Sequence, residues 1–173
     1  MFREMRRKKQ RLSEEACAAM LTNATSGVLA VSGDGGYPYA VPMSFVFRGG
    51  KIYFHCAGSG HKLDAIARDD KASFCVIAED RIVEEAYTTY FRSVIAFGRA
   101  RVVEDADEKR LALEALAEKY SPRHEAGRLR EIERLFSQVC VVALTVEHLT
   151  GKAAIELVRA AGENPVPPTW PNH

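Results

Sequence analysis

The sequence predicts an α+β fold in which six antiparallel strands form a small barrel with flanking helices. Three observations support this prediction. The chain has 173 residues, of which 47% are hydrophobic and 27% charged, values that suit one globular domain. Apolar residues follow helical or strand spacing in the order helix, three strands, short helix, two strands, two helices, strand. Tight turns join the early strands, and such short connections are possible only between antiparallel neighbours.

The chain begins with a basic arm and a short amphipathic helix. Residues 1–11 contain six Lys or Arg residues and one acid, and we expect them to form a solvated arm. Ser13 has the properties of a helix N-cap, because two glutamates follow it in the first turn, where they complement the helix dipole. The apolar face of this helix repeats at helical spacing and comprises Cys17, Met20, Leu21 and Ala24.

Three β-rich runs follow, separated by glycine-containing turns: residues 27–31, 38–47 and 51–57. Pro42 falls in the middle of the second run. Proline has no N–H to donate to a β-ladder, so this position indicates a sheet edge or a bulge. An edge leaves backbone groups free to bind a ligand, or it only protects the sheet from pairing with other chains. Both interpretations of Pro42 stay open at the level of the sequence.

The rest of the chain combines strands with longer helices. The predicted elements are a helix at 61–69, a strand at 71–80, a polar connection at 81–89, a strand at 90–105, two helices separated by Ser121 and Pro122, and a strand at 139–149. One face of the strand at 90–105 carries small residues: Val94, Ala96, Gly98 and Ala100. We expect this face to suit the close approach of a ligand or of a second subunit. Residues 161–173 are predicted to be a proline-rich, extended tail.

The overall charge and the cysteine pattern argue against several classes of protein. A formal net charge of +1 does not favour nucleic acid as a partner. No stretch has the properties of a secretion signal or of a membrane span. The four cysteines include no CxxC pair, and the histidines have no metal-ligand spacing. We therefore expect a cytoplasmic protein with reduced thiols that uses neither a membrane nor a metal.

The strongest candidate for a binding site is the segment 51–63, with the sequence KIYFHCAGSGHKL. An apolar strand ends there in a turn of small residues, and His61 and Lys62 stand where a helix should begin. Such a turn offers a phosphate free backbone N–H groups, the positive end of a helix dipole and a lysine cation. It matches neither GxxxxGK[ST] nor GxGxxG. It can also be a plain strand-to-helix connection, because Gly and Ser are common turn residues.

Five segments together carry a resemblance to a known family: YPYAVPMSFVF, IYFHCAGSGHKLDAI, DDKASFCV, YFRSVIAFGRARVV and LTVEHLTGKAAIE. In this order and spacing, the chain resembles the FMN-binding split-barrel proteins related to pyridoxamine 5′-phosphate oxidase. It is most similar to their nitroimidazole-resistance (Nim-type) branch. The resemblance covers nearly all of residues 12–156, within an expected flavin-binding domain of residues 12–160.

The resemblance implies a homodimer of six-stranded split barrels with two FMN molecules at the subunit interface. The cofactor contacts that it implies are Val41, Pro42, Met43 and Ser44 at the pyrimidine edge, His55, Cys56 and Ala57 beside the ring, Ser59, Gly60, His61 and Lys62 at the phosphate, and Arg92 and Ser93 as further ribityl or phosphate contacts. His55 is also the candidate catalytic residue, as a proton donor near the reactive face of the flavin.

The function implied is that of an FMN-dependent oxidoreductase that reduces a small aromatic, nitroimidazole-like substrate with electrons from an unidentified donor. Pyridoxamine-phosphate oxidase activity is disfavoured, because that enzyme binds the substrate phosphate with a C-terminal arginine and histidine segment that has no match around Arg159. One alternative is a flavin- or heme-binding carrier or sensor without turnover. Another is an enzyme that uses a deazaflavin cofactor in place of FMN. The near-neutral charge disfavours it, because deazaflavin-binding relatives usually have a more basic groove for the acidic tail of the cofactor.

Overall fold

The computed structural model describes residues 2–163, which contain five α-helices and one antiparallel sheet of seven strands. The strands are β1 (Ser26–Ser32), β2 (Pro38–Ser44), β3 (Val46–Arg48), β4 (Lys51–Cys56), β5 (Lys71–Val83), β6 (Thr88–Val102) and β7 (Cys140–Ala153). The helices are α1 (Glu14–Asn23), α2 (His61–Arg68), α3 (Ala106–Tyr120), α4 (Glu125–Leu135) and α5 (Ile155–Glu163). Within residues 2–163, no helix has the length and apolar character needed to cross a membrane. Most of the predicted proline-rich tail, from residue 164 onward, lies outside the described residues.

The sheet curls on itself because strands that are consecutive in the chain lie at its two opposite edges. The strand order is β2-β1-β5-β6-β7-β4-β3, so β2 pairs with β1 and β3 pairs with β4. Only Phe45 separates β2 from β3 in the chain. The mixed architecture with one antiparallel sheet agrees with the predicted fold class. The predicted count of six strands is not confirmed, because the run at 38–47 is divided at Phe45 into two strands with different partners.

The core fills the interior of this curled sheet. Phe45, Phe54 and Phe74 are fully buried there, and the rings of Phe45 and Phe74 meet edge to face with 4.8 Å between their centroids. Ser13 accepts a hydrogen bond from Ala16 N (3.2 Å) and so caps α1 as predicted. This helix adds its buried residue Leu21 to the same core.

The small-residue face of β6 points into this core. Val94, Ala96 and Ala100 are at most 1% exposed, and Gly98 lies at a bulge where a Cβ would collide with the Thr145 carbonyl of β7. The expectation that a ligand or a second subunit approaches this face is therefore wrong. The residues are small because the interior of a narrow barrel leaves little room beside its phenylalanines.

The predicted polar connection at 81–89 is mostly β-structure. Strands β5 and β6 continue as a two-stranded ribbon as far as the pair Val83–Thr88, and a short 3-10 turn joins them. Tyr87 closes that turn in the left-handed conformation, with φ of 50°. Cross-strand contacts explain the extension, because the Arg81 guanidinium lies over the Tyr90 ring at 4.8 Å.

The described part of the basic arm lies against the sheet. Phe2 stacks on His148 of β7 with 4.6 Å between the ring centroids. Arg11, the last residue of the arm, forms an isolated antiparallel β-bridge with Lys152 of β7. These contacts differ from the expectation of a wholly solvated arm. The sequence does not reveal these contacts, because an apolar side chain and the backbone make them and the charged side chains of the arm do not.

A second, smaller core lies on the outer side of the sheet. Strand β4 alternates, so that its Phe54 faces the barrel interior while Tyr53 faces outward. Tyr53 and Val141 pack there against Leu113 of α3 and Ile132 of α4. The predicted helical pair is thus confirmed, and it covers the strand that leads to the candidate binding turn.

Glu108 at the start of α3 joins this helix to the sheet. Its carboxylate accepts hydrogen bonds from Arg101 (2.6 Å), Lys51 (2.9 Å) and the Tyr53 hydroxyl (3.0 Å). The Arg101 and Lys51 hydrogen bonds lower the pKa of Glu108 from 4.5 to about 2. Because the folded state holds this carboxylate ionised, Glu108 stabilises the fold above about pH 4.5, and the contribution is lost as the pH falls toward 2.

We expect Glu108→Gln to lower the free energy of unfolding at pH 7 by about 1–2 kcal/mol, after allowing for solvent screening of these charges. The variant should also lose less stability than the wild type between pH 4.5 and 2. Urea unfolding at several pH values measures both effects. Glu118→Gln, an exposed change on the same helix, serves as the control. Identical pH slopes in wild type and Glu108→Gln would show that the network makes no net contribution.

Candidate functional site

The predicted phosphate-binding turn lies between β4 and α2 and is open to solvent. Residues 57–60 are all exposed, and α2 begins at His61 as the sequence predicted. Gly60 has φ of 131°, a conformation that residues with a side chain rarely adopt. A Cβ at Gly60 would meet no atom within 4 Å, so glycine is required there by the backbone conformation and not by lack of space. The turn therefore presents exposed backbone to the solvent.

The first amides of α2 are available to a ligand. No side chain caps this helix, and the amides of Leu63 and Asp64 both bond to the Gly60 carbonyl (2.9 and 3.2 Å). Within residues 2–163, the amides of His61 and Lys62 have no hydrogen-bond acceptor. Free N–H groups at the positive end of a helix dipole favour an anion. Lys62 adds a cation near the end of β4, where its field partly offsets the rise that burial causes in the pKa of the Cys56 thiol.

The His61 side chain is turned away from the open turn. Its ring stacks on Tyr39 of β2 with 4.1 Å between centroids, and its Nε2 lies 3.5 Å from an Asp34 carboxylate oxygen. That contact is not a hydrogen bond, and Nε2 is buried without a partner among the described residues. Arg68 of α2 holds the same Asp34 at 2.8 Å. The His61 ring therefore does not face the turn, and only the backbone amide of His61 could contact a phosphate there. The predicted phosphate contact of His61 stays a prediction, limited to this amide.

Strand β2 is an edge strand, as Pro42 indicated. It pairs with β1 alone within the described residues, with Pro42 opposite Val28. Its side chains alternate, so that Val41 and Met43 are half-buried against the core while Pro42 and Ser44 are exposed. The unpaired side of β2 therefore has backbone donors and acceptors free for a ligand.

The structure brings the β2 and β4 candidates together. Ser44 and His55 line one cavity of about 520 Å³, which the helices α3 and α4 close from the other side. At the opposite end of β2, the Tyr39–His61 stack holds the strand against α2. Residues 41–44 and 55–62 thus form one continuous surface, which we call the β2–α2 patch.

Cys56, the cysteine of this patch, is partly buried and lies beside a second cysteine. Burial, together with Cys140, its cross-strand neighbour on β7, raises the pKa of Cys56 to about 11. The thiol is therefore neutral at physiological pH and is not a nucleophile. Cys56 can line a bound ring by packing, which is the role that the resemblance implied.

Arg92 and Ser93 lie away from the β2–α2 patch within one chain. Arg92 donates to Glu79 (2.6 Å), its cross-strand partner on β5. Two strands, β1 and β5, separate β6 from β2 in the sheet, and Ser93 pairs with Ile77 of β5. Neither Arg92 nor Ser93 contacts the patch directly in the described sheet pairing. Their assignment as cofactor contacts, and the homodimer that the resemblance implies, stay predictions.

Tyr120 is an important residue that the sequence did not indicate. It is the last residue of α3, and its hydroxyl accepts from the Phe45 amide (2.8 Å) and lies 2.6 Å from the Thr25 carbonyl, to which it donates. The Phe45 carbonyl is 3.0 Å away. Phe45 is where the chain leaves one edge of the sheet for the other, so Tyr120 satisfies backbone groups that no β-ladder serves. The local sequence around Tyr120 gives no sign of these bonds, because their partners lie 75 and 95 positions away in the chain.

With this geometry established, comparison with known proteins identifies the family. Residues 13–153 match the pyridoxamine 5′-phosphate oxidase family. The chain belongs to this family. The match spans β1 to β7 and therefore includes the whole β2–α2 patch. No curated protein matches the chain at a significant level of sequence similarity.

Solved structures share the fold at low sequence identity. The conserved hypothetical protein Rv2991 from Mycobacterium tuberculosis has a TM-score of 0.76 and 18% identity, covering 98% of both chains. The FAD and heme binding protein from Mycobacterium smegmatis has a TM-score of 0.69 and 23% identity, covering 96% of this chain and 91% of its own. A candidate 5-nitroimidazole antibiotic resistance protein from Bacteroides thetaiotaomicron has a TM-score of 0.68 and 21% identity, covering 83% and 86%. The family includes oxidases, and the fold is shared with flavin-binding proteins.

We expect Tyr120→Phe to lower the free energy of unfolding by about 1–3 kcal/mol, because it leaves the buried Phe45 amide without an acceptor. Chemical denaturation monitored by circular dichroism measures the change. Tyr87→Phe removes a hydroxyl from a side chain that is 98% exposed and should have no effect. Equal stability of the two variants would show that water replaces the Tyr120 hydroxyl at Phe45.

Proposed function

We propose that the protein is an FMN-dependent oxidoreductase that reduces a small aromatic, nitroimidazole-like substrate. One observation carries the proposal: the uncapped start of α2 and the free edge of β2 lie on one surface, the β2–α2 patch. The first can bind a phosphate and the second a heteroaromatic ring with donors and acceptors along one side. A flavin mononucleotide combines these two groups in one molecule.

The turn fits a single terminal phosphate. The amides of His61 and Lys62 supply donors, the helix dipole supplies a positive field, and the Lys62 ammonium supplies one full charge. The exposed residues Ser59 and Gly60 place no bulky side chain over these amides. One cation at one helix start suits the one phosphate of FMN, which is our reason for preferring FMN among flavins.

The edge of β2 fits the pyrimidine side of the flavin ring. The backbone groups of residues 41–44 that do not pair with β1 can bond to the ring oxygens and nitrogens. His55 and Ala57 are exposed at the end of β4 and would lie beside the ring. When bound, FMN supplies the electron-transfer chemistry that the side chains of this patch cannot carry out.

His55 is the proposed proton donor. Its side chain is exposed at the cavity shared with Ser44, where a substrate next to the ring would lie. As a substrate heteroatom gains electrons, an imidazolium at this position can donate a proton to it. We place this chemistry in a cytoplasmic homodimer supplied with electrons by a separate donor. The free cysteines at positions 17, 56, 75 and 140 support a reducing compartment.

A non-catalytic carrier or sensor is the second candidate, because the cavity beside His55 also has features of a heme pocket. An imidazole at the rim of an apolar cavity can act as an axial heme ligand. The structurally similar Mycobacterium smegmatis protein is described as binding both FAD and heme. In that case His55→Ala would abolish a Soret absorption band, whereas the flavin-dependent enzyme has no such band to lose.

We expect Lys62→Ala to weaken FMN binding by about 1–3 kcal/mol, the usual range for the loss of a charge-assisted hydrogen bond. Fluorescence titration of FMN into the flavin-free protein gives the dissociation constant. Lys9→Ala, at an exposed position of the basic arm, is the matched control and should leave the constant unchanged. If both variants bind FMN as the wild type does, the phosphate lies elsewhere.

We expect His55→Ala to retain FMN and to slow the reduction of a nitroaromatic substrate, by roughly 10²–10⁴-fold if proton donation is its main role. Stopped-flow absorbance of the pre-reduced protein mixed with a nitroimidazole measures the reduction step. His124→Ala, an exposed change just before α4, should react as the wild type does. A His55→Ala rate equal to that of the control would leave His55 only a packing role.

A further inference from the structure

The cavity beside His55 extends between the sheet and the α3–α4 pair. Its volume is about 520 Å³, and it is lined from β2 and β4 by Ser44 and His55 and from the helices by Leu113, Leu116, Ala117 and Ile132, among others. A cavity of 150 Å³ can already bind benzene. This one therefore has room for a substituted aromatic ring and lies within the usual range of small-molecule sites.

The polar and apolar walls of the cavity are separated. Leu113, Leu116 and Ile132 are at most 8% exposed and form its floor. Ser44 and His55 are exposed and form its rim. A ligand would thus bury its ring against the leucine and isoleucine side chains and leave a polar substituent at the hydroxyl and the imidazole.

The charges around the cavity disfavour an anion. No lysine or arginine lines it within the described residues, and its one carboxylate, Glu131, is paired with Arg134 at the solvent surface (2.5 Å). The Tyr120 hydroxyl, also in the lining, is engaged by Phe45 and Thr25. A phosphate or carboxylate placed on the apolar floor, away from His55 at the rim, would lose its hydration without gaining a cation, which is costly.

We propose that this cavity is the substrate site, and that the α3–α4 pair selects uncharged aromatic molecules and rejects phosphorylated or carboxylated ones. The substrate ring packs against Leu116 and Ile132, and its polar substituent meets Ser44 and His55 at the rim. The proposal rests on the proposed function, since the flavin ring would lie outside the rim, along residues 41–44. It assigns substrate selection to helices that hold none of the implied cofactor contacts.

The test uses nitrobenzene and 4-nitrobenzoate, two probes that differ by one carboxylate. They are titrated into the full chain with ¹³C-labelled Leu and Ile methyl groups, first without FMN and then with saturating FMN. We expect nitrobenzene to shift the methyl signals of Leu113, Leu116 and Ile132 in both states, and 4-nitrobenzoate to bind at least about tenfold more weakly. The exposed Ile77 and Ile82 on the β5–β6 ribbon are the internal controls and should not move.

A variant that fills the cavity provides a second, independent test of ligand binding there. Ala117→Phe places a ring inside, and we expect it to weaken nitrobenzene binding by about tenfold or more. Ala126→Phe, at an exposed position of α4 outside the cavity, is the matched control. If Ala117→Phe does not fold, the methyl titration of the wild type still decides the question.

Three outcomes would overturn the proposal: no shift at the floor methyls, equal affinity for the two probes, or displacement of nitrobenzene by FMN. The last would show that the cavity holds the flavin ring itself. If FMN does not bind at all, the proposed flavin function fails. The flavin-free titration still reports separately on the cavity, so the two failures are distinguishable.

Discussion

The closure of the barrel depends on how the chain crosses at Phe45. At this residue the backbone leaves its pairing with β1 and joins β4 on the opposite edge of the sheet, so neither ladder serves its polar groups. Phe45 is also fully buried, so water is not an alternative partner. The Tyr120 hydroxyl supplies the missing acceptor, and Lys119 packs over the Phe45 ring at 4.3 Å and donates to the Ala24 carbonyl (2.6 Å) at the end of α1. The C-terminal end of α3 therefore contacts both Phe45 and the end of α1 and holds them in place.

The contacts of Tyr120 link the stability of the fold to the proposed site. Ser44, immediately before the crossing, is at the rim of the cavity, and Tyr120 is part of its wall. The helix that satisfies the buried backbone therefore also positions the surface on which we place substrate selection. The free edge of β2 has a separate origin: β2 is the terminal strand of the described sheet and pairs along its whole length with β1 alone.

The electrostatics of the β2–α2 patch come mostly from the backbone. Cys56 is kept neutral by burial, and the His61 ring is directed to Asp34 and Tyr39. What remains for an anion is a pair of amides, a helix dipole and Lys62. Such an arrangement depends on the backbone conformation of the turn more than on particular side chains.

Local signals in the sequence determined much of this protein. Ser13 capped its helix, Pro42 marked a sheet edge, and the glycine turn before His61 led into a helix, because each of these depends on neighbouring backbone. The family resemblance was likewise carried by short motifs and is confirmed by the match over residues 13–153.

Other features were decided only by tertiary structure. The division of residues 38–47 depends on two partner strands and on Tyr120, 75 positions further along the chain. The direction of His61 is set by Asp34 and Tyr39 from another hairpin, and the small face of β6 was misread because an inward-facing and a ligand-facing strand have the same alternation. The sequence alone determined most of the helices and strands, since these follow from local periodicity. The tertiary structure decided which faces meet, since that depends on contacts between distant residues.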